Sequence, residues 1–168
     1  MFKKILLALL ALFLIIQLFR PEKNNSNDLT NAITEKYDVP QEVSVILKNA
    51  CNDCHSNNTV YPWYANVQPV AWWLDEHVVD GKRHLNLSDF TNLPIAVQNH
   101  KFEEIVEVMD ENEMPLESYT YLGMHQEANL TAKEKEALKT WALMQMDYLK
   151  SSYPADSLIM KRRRPKNQ

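Results

Sequence analysis

Two cysteines three positions apart, with a histidine directly after the second, constrain this chain more than any other stretch: Cys51-Asn52-Asp53-Cys54-His55. On a helical turn, positions i and i+3 share a face, so both thiols can engage one planar group while the adjacent imidazole stands beside it. This is the spacing by which a c-type haem is held, each sulfur forming a thioether and the histidine taking an axial position on the iron. Two other chemistries use the same residues, a redox-active Cys-x-x-Cys dithiol and one half of a zinc site. Zinc needs further ligands, and the chain has neither a third cysteine nor a second histidine at zinc-binding spacing. The dithiol is expected beside a βαβ pattern, whereas the flanking sequence reads as helical.

The scarcity of glycine supports that helical reading. Only two glycines occur among 168 residues, against eight prolines. So few residues that take positive φ cheaply argue against a turn-rich β fold and for helices joined by proline-containing loops, an all-α domain. A hydrophobic content of 45% suffices for one core. The net charge of -4 gives no reason to expect a nucleic-acid partner.

The chain divides into four segments. Lys3 and Lys4 precede an apolar run from Ile5 to Phe19 whose one polar interruption is Gln17, the pattern of an export signal. No small-x-small cleavage site follows, so residues 1–20 are expected to remain as a signal anchor or transmembrane helix, with residues 5–19 in the cytoplasmic membrane. The run is short for that task, about 22 Å of helix against a hydrocarbon core of about 30 Å. Residues 21–36 are polar and read as a flexible linker, residues 37–150 as the folded domain, and residues 151–168 as a basic tail that is either solvated or set against anionic lipid.

Within the domain a first helix is expected from Pro40 through Val43, Ile46, Leu47 and Ala50 into both cysteines. A second should run from about Pro69 to Val79 and end at Asp80-Gly81, with the glycine at C′. Phe102, Ile105, Val106 and Met109 mark a third, ending before Pro115. Thr131 and Glu134 form a capping box for the last, whose stripe is Leu138, Trp141, Ala142 and Met146.

A second axial ligand should be methionine or histidine on a segment facing His55. Met114, before Pro115 and between two amphipathic helices, is the expected residue, since the proline stops the helix and leaves an extended loop. His77 is the alternative distal ligand; Met124, Met109, His84, His100 and His125 rank lower. Propionates of a partly buried haem need donors, for which Lys82, Arg83 and the indoles of Trp63, Trp72 and Trp73 are candidates.

Together the motif, Tyr61-Pro62-Trp63-Tyr64, Pro69-Val70-Ala71-Trp72-Trp73-Leu74 with His77 and Gly81, Met114-Pro115 and the capped segment leading to Trp141 give a pattern that resembles the haem-binding domain proteins. These are membrane-anchored and single-haem, related in plan to small class I cytochromes c. The resemblance implies a cytochrome c-like helical domain with one covalent haem c on Cys51 and Cys54, His55 as proximal iron ligand and, by analogy with class I cytochromes, Met114 as distal ligand. It also implies that everything after Arg20 is exported, on the periplasmic side of a bacterial cytoplasmic membrane. One-electron transfer with a redox partner protein is then the expected function. A peroxidase-like enzyme or a gas or redox sensor is the alternative, and it requires an open or displaceable distal position.

Overall fold

The computed structural model describes residues 1–121 and 124–160, and among them the fold is all-α, with seven α-helices and no strand. The helices are α1 (Phe2–Ile16), α2 (Gln41–Ala50), α3 (Asn52–His55), α4 (Val70–His84), α5 (Ile95–Asp110), α6 (Glu117–Thr120) and α7 (Ala132–Ser152). Short 3-10 turns at Ile33–Glu35, Trp63–Asn66, Gln126–Ala128 and Ala155–Leu158 connect them.

The core forms where α5 and α2 lay their apolar stripes on α7. Phe102, Ile105 and Met109 of α5 face Leu138, Trp141 and Ala142 of α7, while Val43, Ile46 and Leu47 of α2 close one side. An aromatic cluster fills the middle: Phe102 is T-shaped against both Tyr37 and Trp141, at centroid distances of 4.9 and 5.6 Å. Edge-to-face packing is the favoured arrangement for such rings, because each positive ring edge meets a negative face. Polar groups that enter this core are partnered. Trp141 Nε1 donates to the Asp38 carbonyl at 2.8 Å, and the Tyr37 hydroxyl donates to the buried Gln98 side chain. Burial pushes the Tyr37 hydroxyl above its ordinary pKa, so it stays a neutral donor. The capping box of α7 is present in full: Thr131 Oγ1 accepts from the Glu134 N–H at 3.3 Å, and the Thr131 N–H donates to the Glu134 carboxylate at 2.8 Å.

Four expectations are corrected. The first helix does not continue through the motif: it stops at Ala50, Cys51 bends away from helical geometry at φ -127°, and α3 starts afresh at Asn52. Gly81 is not a C′ residue either, because α4 runs on to His84. A Cβ on Gly81 would lie 2.6 Å from the Cys54 carbonyl oxygen, so glycine is there to let α4 cross directly over the motif. The segment 21–36, expected to be a flexible linker, is docked. Asn24 Nδ2 donates to the Ser56 carbonyl at 2.8 Å and to Thr59 Oγ1 at 2.9 Å, Lys82 Nζ donates to Asn24 Oδ1 at 2.7 Å, and Ala32 and Ile33 are buried. Asparagine carries both donors and an acceptor, so the polarity that suggested a tether is what binds this segment to loop backbone. Residues 151–160 likewise begin packed, with Tyr153 and Leu158 against the core; the basic run Lys161–Arg164 lies outside the described residues.

The N-terminal segment forms α1 as expected, but over 15 residues, and among the described residues no helix is long and apolar enough to cross a membrane.

Candidate functional site

The motif lines a cavity of about 560 Å³ shared with α4, the residues from Met114 to Tyr119, and Met124 and His125. Its volume falls in the range of about 300–1,000 Å³ typical of sites for organic ligands. Cys51, Cys54 and His55 form one wall and Met114 with Pro115 another, so residues far apart in sequence are brought to one space.

His55 is held by the end of α4. Its Nδ1 lies 2.9 Å from the Gly81 carbonyl and 3.0 Å from the Leu85 carbonyl, and both oxygens can only accept. The proton therefore sits on Nδ1, and Nε2 carries the lone pair a metal would need. The Gly81 carbonyl also accepts the Leu85 N–H at 2.9 Å, so it serves both the helix end and the His55 ring, and the ring's second contact comes from the residue just past α4. The His55 backbone carbonyl accepts from the Leu87 N–H at 2.7 Å, tying the loop after α4 to the motif. Burial holds the His55 imidazole below its ordinary pKa, while the Leu85 and Gly81 carbonyls favour the proton; burial is the larger effect, so the ring is neutral near pH 7.

The two thiols are free and are electrostatically inert. Burial pushes Cys51 up to about 12 and Cys54 up to about 11, with Asp53 adding to the second. A thiol-disulfide module needs at least one thiolate near neutral pH, which low-dielectric surroundings oppose here. Among the described residues no group of three or more His, Cys, Asp or Glu is placed to hold a metal ion.

Several other expected residues join the wall and several do not. Trp73, His77, His84, Met124 and His125 line the cavity. Trp63 and Trp72 do not; they are 78% and 41% exposed. Arg83 also lies outside it, its guanidinium donating to Asp80 at 2.7 Å on the exposed face of α4. These donors were expected from residue type, but Trp72, Trp73 and Arg83 point to different sides of α4, and of that group only Trp73, itself 44% exposed, lines the cavity. Lys82 is turned to Asn24. Met109 is buried in the α5–α7 core, and His100 pairs with Glu103 and Glu104 on α5.

A polar wall completes the cavity. The Tyr119 hydroxyl donates to Asp53 Oδ2 at 2.7 Å, and its ring stacks on His125 with centroids 4.1 Å apart and planes 10° apart. His125 Nε2 lies 3.3 Å from the Tyr64 hydroxyl. Burial, joined by the Asp53 carboxylate, keeps the Tyr119 phenol protonated well above its usual range. Asp53 also accepts from the Val60 N–H at 2.9 Å, so one motif carboxylate anchors both the loop after His55 and the segment after Met114. Sequence reasoning missed Tyr119, which stands in no local pattern, and gave Asp53 no role because it occupies a variable position of the motif. Tyr64 was given no role beyond its place in Tyr61-Pro62-Trp63-Tyr64, and His125 was ranked only as a minor candidate for the distal position.

Neither a curated protein nor a solved structure matches the chain. The family described as "Haem-binding domain" matches residues 11–144, from within α1 into α7, and covers motif, cavity and core alike. On that match, the chain belongs to the haem-binding domain family.

Proposed function

We propose that this protein is an exported, membrane-anchored carrier of single electrons, with one haem c held by Cys51, Cys54 and His55 and closed on its other side by Met114. The cavity fits the group on this chain's own terms. Its walls combine two neutral cysteines, a tautomer-fixed imidazole and a thioether in one mainly apolar space. Attachment adds each S–H across a vinyl C=C, so that a C–S bond and a C–H bond form with no net oxidation. The bound haem would supply a one-electron iron couple. The chain's residues set the conditions for it: the Gly81 and Leu85 carbonyls orient His55, Met114 closes the far wall, and the apolar lining excludes water. The presence of Met114 in the same cavity as the motif is the observation that carries the reading. By analogy, a cytochrome c-like plan accounts for a loop methionine opposite a motif histidine.

The deciding measurement is the visible spectrum of the matured protein in both oxidation states, with Met114→Ala beside it. The wild type should be low-spin with a methionine-to-iron charge-transfer band when oxidised, and Met114→Ala should lose that band. Retention of the band would reject Met114. A low-spin spectrum lacking it from the outset would move the assignment to His77. Enzyme or sensor chemistry is favoured by one observation only, the presence of His77 and His125 in the wall; a high-spin wild type that binds carbon monoxide rapidly would establish it.

A further inference from the structure

Gln17 is the one polar residue in the apolar run, and it is turned to the domain. Its Nε2 donates to the Gln68 carbonyl at 3.2 Å, and its Oε1 accepts from the Gln68 N–H at 2.9 Å. Gln68, 0% exposed, answers from the other side: Nε2 donates to the Phe19 carbonyl at 2.6 Å, and Oε1 accepts from the Trp72 N–H at 3.2 Å. Lys23 Nζ adds a bond of 2.9 Å to Asn66 Oδ1. Two amides whose donors and acceptors are mutually satisfied, one of them fully buried, make a joint rather than a tether.

On one side of this joint α1 has no buried residue, and its leucines and phenylalanines face outward all round. On the other side stand the two indoles that the cavity does not use. The Trp72 backbone N–H donates to Gln68, and the Trp63 backbone carbonyl accepts from Asn66 at 3.1 Å, the residue that Lys23 reaches. An all-round apolar helix followed within a few residues by Arg20 and Lys23, with two exposed tryptophans at that end, has the composition of a lipid headgroup boundary.

We propose that this joint fixes the domain on the phospholipid surface in one orientation, with Trp63 and Trp72 seated among the headgroups. The cavity is then held at a constant attitude to the bilayer, and the partner it serves is one that is itself held in or on the same membrane. This rests on the reading that α1 anchors the chain.

The test uses the full-length, haem-loaded protein in oriented multilayers of phosphatidylcholine and phosphatidylglycerol. After an alkaline wash the protein should stay with the lipid; its release would overturn both the anchor and this proposal. Electron paramagnetic resonance of the oxidised iron should depend sharply on the angle between membrane and field, and an angle-independent spectrum from retained protein would overturn this proposal alone. Trp63→Ser combined with Trp72→Ser should broaden that angular dependence, and an unchanged spectrum would remove the tryptophans from the interface. A readout independent of haem is trypsin cleavage after Lys23 in the same membranes. Gln17→Ala should be cut about tenfold faster than wild type, as expected when local opening no longer breaks these hydrogen bonds, and equal rates would refute the joint.

Discussion

The α5–α7 half of the domain and the cavity half are built on opposite terms. In the first, side chains meet side chains: Phe102 is 0% exposed, and Tyr37, Phe90 and Trp141 surround it. In the second, α4, the motif and the residues from Met114 to Tyr119 line an open space of about 560 Å³; α4 meets the motif at the close crossing of Gly81 and Cys54, and Tyr119 meets it through its hydrogen bond to Asp53. One half supplies stability and the other gives up packing to leave room for a ligand. The contrast shows why an open site can persist in a chain this small: the site's walls are braced from behind.

That contrast can be broken most forcefully at the packed side. Phe102→Ala should cost about 3–5 kcal/mol, the range for emptying a closely packed aromatic site, and denaturant titration would show it as a large fall in midpoint at unchanged slope. A loss below about 1 kcal/mol would mean that the two halves are equally loose.

The thiols sharpen the comparison from the cavity side. In protein made without haem, iodoacetamide at pH 8 should modify Cys54 on the order of a hundredfold more slowly than an ordinary thiol, and Cys51 more slowly still, since only the thiolate reacts. The sign follows from the raised values: both thiols are neutral in the fold, and that neutrality favours folding below the ordinary thiol range and loses its effect as pH rises toward about 11 to 12. Fast alkylation at neutral pH would restore the dithiol reading.

Gly81→Ala tests the crossing that joins the halves. An added methyl would meet Cys54 backbone at 2.6 Å, and backbone gives way less readily than a side-chain tip. A cost of about 1–3 kcal/mol is expected, together with reduced haem attachment, because the shift displaces the carbonyl that holds His55. A stabilised protein, as an ordinary helical glycine-to-alanine change would give, would contradict the close approach. The smallest expected effect is Tyr119→Phe. Losing the hydrogen bond to Asp53 should cost roughly 0.5–1.5 kcal/mol in the haem-free protein and loosen the segment after Met114, visible as faster amide exchange there.

Much of the candidate site was legible because its chemistry is local. Cys51, Cys54 and His55 are neighbours, Thr131 and Glu134 cap a helix within one turn, and Met114-Pro115 marks a loop between two amphipathic stripes. The rest lay in distance. Asp53 and Tyr119, 66 positions apart, have no sequence signal that pairs them, and Trp63, Trp72 and Arg83 carry the right donors on the wrong faces. Asn24 of the expected linker was read as solvent-loving when its amide donates to loop backbone, and Asn57 of that loop donates in return to the linker's Asp28 carbonyl.

By itself the sequence determined helices, the apolar stripes of α2, α5 and α7 and a Cys-x-x-Cys-His motif, since periodicity, capping and thiol spacing act within a few residues. Only the tertiary structure decided that α4 passes over Cys54, that its last carbonyls set the His55 tautomer and that Gln17 grips Gln68. Those outcomes depend on how packed helices cross, and a hydrogen bond between distant segments exists only after the core has fixed the distance between them.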